Sequence, residues 1–221
     1  EKITKISLKH FANWYSQAGR PIVKVTNSYN KGTFKMNFCQ ELEKNRQKNM
    51  LPMLIPISVG LLDRNGNEMR KTKTFLISKK KQTITFNNLP SRPVPSTLRD
   101  FSAPITLAQK ITNNELFILG EHDTNLFNRW NAIRLLSLKA IEGLIYDGLT
   151  ISDRLLSALK IALSSNELTH GYKAMIATAP TESDVLTYLS KRYKDIDPQK
   201  IYKSVRFFNE SLSRKCSGSI L

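Results

Sequence analysis

The spacing of apolar residues along this chain of 221 residues changes period near residue 112. Upstream, apolar and polar positions alternate. Phe34, Met36 and Phe38 are interleaved with Lys35, Asn37 and Cys39/Gln40, the pattern of a strand with one face buried. Ile55, Ile57, Val59 and Leu61 repeat it. Asp63-Arg-Asn-Gly66 then offers an Asn-Gly pair suited to the left-handed backbone of a tight hairpin, which predicts a return strand over residues 74–77. Thr83-Ile-Thr-Phe86 alternates again, the prolines of 90–95 break regular pairing, and residues 101–107 resume it. Six or seven short strands separated by turns predict a small antiparallel, Ig-like β-sandwich.

Downstream, apolar residues recur at three and four. Phe127, Trp130, Ile133, Leu135, Leu136, Leu138 and Ile141 predict a long helix with a broad apolar face, and Leu155, Leu156, Leu159, Ile161, Ala162 and Leu163 predict a second. Thr181-Glu-Ser-Asp184 has the form of a capping box ahead of 185–193, and Asp197-Pro198 places a capping acid before a first-turn proline, so two more helices are expected to start there. Short connections at Asp147-Gly148 and Ala179-Pro180 favour antiparallel neighbours. The expected fold class is therefore α+β in two modules, a sandwich followed by antiparallel α-helical hairpins at the start of an α-solenoid-like domain. The boundaries fall at 1–19 (a tail and linker), 20–111 (sandwich) and 112–221 (helices).

Composition narrows the class. Forty per cent hydrophobic and 24% charged residues are ordinary globular values. The longest apolar run, 51–62, holds two prolines and Ser58 and falls short of the roughly 20 residues of a membrane span, so no membrane partner is expected. Residues 1–5 carry neither an initiator Met nor an apolar signal core, so the start reads as internal. The only cysteines, Cys39 and Cys216, are too far apart in sequence to suggest a disulfide framework or a metal spacing, which fits a reducing, cytoplasmic compartment. The formal charge of +16 invites a polyanionic partner. It is, however, spread along the chain, with short clusters only at Arg70 to Lys73 and Lys79 to Lys81, and a solvated basic face is favoured over a nucleic-acid site.

Candidate chemistry is sparse. His10, His122 and His170 are not within metal-ligand spacing of one another, and no His-Glu-x-x-His string occurs, so neither a metal site nor a cofactor site is expected in this segment. Glu121-His122-Asp123 could in principle supply an acid, a base and an orienter. A helix start capped by Asp123-Thr124 is the favoured reading, because adjacent side chains point apart. Cys216-Ser-Gly-Ser lies at the chain end, where an exposed thiol is favoured over an activated one. There is no Gly-x-Ser-x-Gly, P-loop or dinucleotide fingerprint. Aromatics among basic residues at Lys203-Ser-Val-Arg-Phe-Phe208 could mimic a stacking platform, but Tyr202, Phe207 and Phe208 are expected in a helix core. No catalytic residue is assigned.

Four strings resemble one family. His10-Phe-Ala-Asn-Trp-Tyr-Ser-Gln-Ala-Gly-Arg-Pro21 resembles the end of the catalytic domain of bacterial aminopeptidase N. Val94-Pro-Ser-Thr-Leu-Arg-Asp-Phe-Ser-Ala-Pro-Ile105 resembles the closing strand of its β domain, and His122-Asp-Thr-Asn-Leu-Phe-Asn-Arg-Trp-Asn-Ala132 the first helix of its C-terminal domain. Ile196-Asp-Pro198 is similar to a later helix start. The resemblance implies that residues 1–19 are the tail of a thermolysin-like zinc domain, followed by the sandwich and then by part of a helical domain. In such enzymes zinc activates water against the first peptide bond. The zinc motif, the substrate-binding Gly-Ala-Met-Glu-Asn and the catalytic Tyr of that family have no counterpart here. The implied role is a non-catalytic structural segment, the sandwich acting as a rigid wedge. Its partners would be the catalytic domain and the remaining helical domain of the same enzyme, with peptide substrates reached only through the parent. The alternative is a stand-alone basic module for nucleic acid or another polyanion. A third reading is an incomplete helical domain that leaves Tyr202, Val205 and Phe208 exposed.

Overall fold

The computed structural model describes residues 9–42 and 51–216, and the chain divides into two compact units between Thr112 and Asn113. The first unit opens with helix α1 (Lys9–Ser16) and continues with seven strands: β1 (Pro21–Asn30), β2 (Thr33–Leu42), β3 (Ile55–Leu62), β4 (Glu68–Ile77), β5 (Lys81–Phe86), β6 (Val94–Thr97) and β7 (Thr106–Gln109). They form two sheets of order β5-β2-β1-β7 and β4-β3-β6, an Ig-like sandwich. The alternation read from the sequence is the alternation of its core. Val23 and Val25 of β1 and Phe34, Met36 and Phe38 of β2 face Ile55, Ile57, Val59 and Leu61 of β3 and Ile77 of β4, all essentially excluded from solvent.

Four details differ from the sequence reading. β4 begins at Glu68, six residues ahead of the expected Thr74, and the connection is a loop closed by Asp63 rather than a two-residue turn. The Asp63 carboxylate accepts from the backbone N–H of Asn65 and Asn67 and from the Asn67 side chain, while Gly66 takes φ +86°. The proline-rich stretch contains a strand, β6, which pairs with β3 in the register Val59↔Thr97 to Leu62↔Val94. As an edge strand of its sheet it tolerates Pro95. Phe101 sits in a short 3-10 turn (Arg99–Phe101), and β7 starts only at Thr106. β7 runs parallel to β1, so the sandwich is not wholly antiparallel.

Where sheet pairing ends, Gln40 takes over. Its side chain is wholly buried among the core positions of β2. Its amide nitrogen donates to the carbonyls of Met53 (2.9 Å), Ile77 (3.1 Å) and Lys79 (3.3 Å), and its oxygen accepts from Met53 N–H (2.9 Å). A neutral amide on β2 thereby satisfies backbone groups of β4 and of the segments leading into β3 and out of β4.

The second unit holds six helices: α2 (Asn113–His122), α3 (Leu126–Tyr146), α4 (Asp153–Ser164), α5 (His170–Ala177), α6 (Glu182–Leu189) and α7 (Pro198–Cys216). α3 is central and packs against all five others. The capping box at Thr181/Asp184 is present, and Asp197 caps α7 through Gln199 N–H. α2 and α5 had no clear periodic signal. α3 is capped by Asn125, whose side chain accepts from Asn128 N–H, not by Asp123-Thr124. α7 buries Ile201, Val205, Phe208 and Leu212, one stripe at helical spacing, whereas Tyr202 and Phe207 face solvent. The expected core trio is thus reduced to Phe208. The expectation of an exposed Val205 and Phe208 is corrected as well, because α7 packs on α3, α4 and α6. Cys216 lies at the limit of the described residues; its side chain, and with it the expected exposed thiol, falls outside them.

Replacing Gln40 by Met keeps the volume and removes the amide. Each buried backbone group left unpaired costs about 1–3 kcal/mol. Urea denaturation of Gln40→Met should therefore show a large loss of stability, and a midpoint equal to that of the parent chain would refute the role given to Gln40.

Candidate functional site

The densest arrangement of chemistry-bearing side chains in the first unit surrounds Arg99. Leu98, Asp100 and Phe101 all adopt positive φ (64°, 56° and 49°), a conformation costing non-glycine residues about 1–2 kcal/mol each. This strained turn aims the Arg99 side chain, 2% exposed, onto the outer face of the β4-β3-β6 sheet. There its Nε donates to Ser96 Oγ (2.8 Å), and one terminal nitrogen donates to Glu68 Oε1 (2.6 Å) and Thr72 Oγ1 (2.7 Å). The guanidinium lies directly over Gly60 of β3, where a Cβ would coincide with it. Alongside, Ser58 N–H donates to Ser102 Oγ, and Ser58 and Thr74 share a hydroxyl hydrogen bond of 2.8 Å. This layer explains why Ser58, Gly60 and Leu62 are buried although one-face alternation left them outside.

A second polar array ties α1 to residues 51–54. Asn13 donates to Pro52 O (2.6 Å), Trp14 Nε1 to Leu54 O (3.0 Å) and Gln17 Nε2 to Leu51 O (3.0 Å), while Gln17 Oε1 accepts from Leu51 N–H (2.8 Å). His10 is exposed, its Nδ1 3.3 Å from Pro52 O, and its own carbonyl accepts from Leu54 N–H. Asn13, Trp14 and Gln17 of the Phe-Ala-Asn-Trp-Tyr-Ser-Gln string are therefore backbone anchors. Phe11 and Tyr15, on the other side of the helix, remain exposed and meet edge to face at 5.8 Å.

In the helical unit, Glu121, His122 and Asp123 do not converge on a reaction centre. Glu121 is bound bidentately by Arg154, whose guanidinium also stacks on Phe117 at 4.3 Å. Asp123 accepts from Asn125 N–H, and His122 is largely exposed. His170 opens α5 and is exposed, and Tyr172 beside it donates to Leu126 O (2.8 Å), with burial pushing its pKa up to about 12. The principal cluster missed from the sequence is at Glu142 of α3. That carboxylate accepts from Arg192, Tyr188 and Tyr193, and Tyr193 stacks on Tyr146 at 4.0 Å. Residues so far apart in sequence give no local signal. Arg134 pairs with Asp184 at 2.7 Å. Among the described residues no group of three or more His, Cys, Asp and Glu could hold a metal ion. Arg70, from the basic cluster, donates to the carbonyls of Asn87 and Asn88.

Residues 19–110 match the family described as a domain of unknown function, DUF3458, with an Ig-like fold, and residues 113–221 match its companion DUF3458_C, described as ARM repeats. Aligned along its whole length, the chain is 26% identical to aminopeptidase N of Escherichia coli and 25% identical to that of Haemophilus influenzae. Over 88% of the chain it is 30% identical to aminopeptidase N of Caulobacter vibrioides. The chain thus carries the DUF3458 pair of domains and is similar to a segment of aminopeptidase N. It corresponds to a C-terminal segment and spans 27%, 27% and 23% of the length of the Haemophilus, Escherichia and Caulobacter relatives. A crystal structure of Legionella pneumophila aminopeptidase A in complex with aspartic acid superposes with a TM-score of 0.79 at 26% identity, covering 96% of this chain and 24% of that one. In this segment the strings around Trp14 and Arg99 hold the fold.

Two outcomes follow. Gly60→Ala should cost about 1–3 kcal/mol in thermal unfolding because it collides with Arg99. The cost should shrink sharply when Arg99→Ala is combined with it, whereas strictly additive losses would show that the two residues are uncoupled. For Asp184, burial alone would raise the pKa, but hydrogen bonds from Thr181 and the Arg134 charge outweigh it and hold the carboxyl below its usual 3.8. A lowered folded pKa stabilises fully above that usual value and is lost as pH falls through the folded one. The difference in melting temperature between the parent chain and Asp184→Asn should therefore be constant near neutrality and close below about pH 4; a gap unchanged in acid would refute it.

Proposed function

We propose that this chain is a non-catalytic structural segment of a zinc-dependent aminopeptidase that removes N-terminal amino acids from peptides. The observation that carries the reading is where the candidate groups are committed. The motif residues Asn13, Trp14 and Gln17 anchor backbone, Arg99 binds Glu68, Thr72 and Ser96, and Glu121 and Glu142 are held by arginines. Each is spent on holding secondary structure in place.

Zinc, which the family implies, does not fit the residues described here. His10, His122 and His170 are exposed and dispersed, and no ligand cluster surrounds any of them. The ligands would come from polypeptide outside this segment. Residues 1–19 would then be the tail of the catalytic domain, with α1 as the joint. The exposed Phe11 and Tyr15 on the helix face turned away from residues 51–54 support that assignment. A cytoplasmic setting agrees with Cys39 standing as a free thiol. A basic module for nucleic acid is less well supported, since Arg70 is pinned to two carbonyls instead of being presented to a phosphate.

The purified chain is expected to retain no stoichiometric zinc by elemental analysis and to release nothing from an aminoacyl p-nitroanilide. The full-length enzyme lacking this segment should lose activity and thermal stability. Tightly held zinc with peptidase activity in the isolated chain, or full activity and stability of the deletion, would overturn the reading.

A further inference from the structure

β1 is ten residues long, but its parallel partner β7 is four. The pairing covers Ile22↔Thr106 to Val25↔Gln109 and stops there. Among the described residues no strand continues that line beside residues 26–30 of β1. At the point where β7 ends lies a groove of about 600 Å³ whose polar lining comprises Lys24, Thr26, Asn27, Arg92, Gln109 and Lys110.

Two features make this groove unlike the rest of the surface. Asn27 Oδ1 and both amide atoms of Gln109 are shut off from solvent without a hydrogen-bond partner, an arrangement folded proteins avoid unless something else supplies the partner. Its charged lining residues are all cationic. Lys24 is engaged by Glu41 at 2.7 Å, but Arg92 and Lys110 face the groove with no carboxylate among the lining residues.

We propose that this groove receives an extended acidic segment of the parent enzyme, lying outside the present chain, which adds to β1 as a strand along the line that β7 leaves. The edge of β1 that β7 leaves uncovered beyond Val25 suits the backbone of an extended peptide, and Arg92 and Lys110 match its carboxylates. The segment matched here is about a quarter of the length of its relatives, so most of those relatives' polypeptide lies outside the matched segment. A nucleic acid fits less well, because of the three cations lining the groove one, Lys24, is already paired with Glu41 and the other polar lining groups are neutral. The inference rests on the scaffold reading and names the surface through which the scaffold would act.

Zero-length carbodiimide coupling of the full-length enzyme, followed by peptide mass spectrometry, tests it. Lys110 should be joined to an Asp or Glu outside this segment; coupling only to carboxylates within the segment, or none, would overturn it. The double variant Arg92→Glu/Lys110→Glu should lower the melting temperature of the full-length enzyme by several degrees and leave that of the 221-residue chain unchanged. An equal fall in both, or no change in either, would overturn the proposal, as would salt-sensitive binding of a single-stranded oligonucleotide by the chain that the variant abolishes. If deleting the whole segment leaves the enzyme intact, the scaffold reading itself has failed; if the deletion is damaging but Lys110 stays uncoupled, only the groove assignment has.

Discussion

A guanidinium buried against a bare backbone is the constraint around which the sandwich is arranged. Arg99 has to be desolvated to reach Gly60, and a desolvated cation is tolerated only when its donors find partners. Ser96, Thr72 and Glu68 supply them from β6 and β4, so one side chain binds the two strands flanking β3 across β3 itself. The left-handed residues around it are the local cost of aiming that side chain, and the surrounding hydrogen bonds hold them in place. Glycine at position 60 is required for close approach rather than for an unusual backbone angle.

Neutral amides do the comparable work where the sheets run out of partners. Gln40 joins the ends of the two sheets, and Asn13 and Gln17 fasten α1 to the strand-like approach to β3. An amide carries donor and acceptor together and costs far less to bury than a charge, so it can stand in for missing ladder bonds inside the core. Side chain to backbone bonds thus close the sandwich where its apolar packing and sheet pairing end. The helical unit uses charge instead, with Arg154 and Arg134 crossing between helices to Glu121 and Asp184, and Arg192, just past α6, reaching Glu142 of α3.

How much of this was legible follows from how local each signal is. The core rows of β2 and β3, the helix over Leu126–Tyr146, the capping box at Thr181 and the acid-proline start of α7 are written within a few residues each, and they were read correctly. β6 was hidden because Pro93 just before it and Pro95 within it advertise a break, and an edge position makes Pro95 acceptable. Tyr202 and Phe207 were misplaced because adjacent aromatics cannot all share the stripe defined by Ile201, Val205, Phe208 and Leu212. Alternation along β3 suggested one buried face because the cover on the other face comes from Arg99, far along the chain. Glu142 and Arg192 are 50 residues apart. No pattern of short period can announce such a pair. The family likeness was legible from motif strings, yet what those strings do physically, anchoring backbone, emerged only from the hydrogen bonds.

The rim strand β4 carries one last consequence. It ends its sheet, its residues 70–74 are exposed, and among them are Arg70, Lys71 and Lys73. An unpaired rim is a template for strand-by-strand polymerisation, and a row of cations makes two such rims repel each other. Part of the +16 charge thus works as insulation. It keeps this margin of the fold from recruiting a twin, without demanding any polyanion in return.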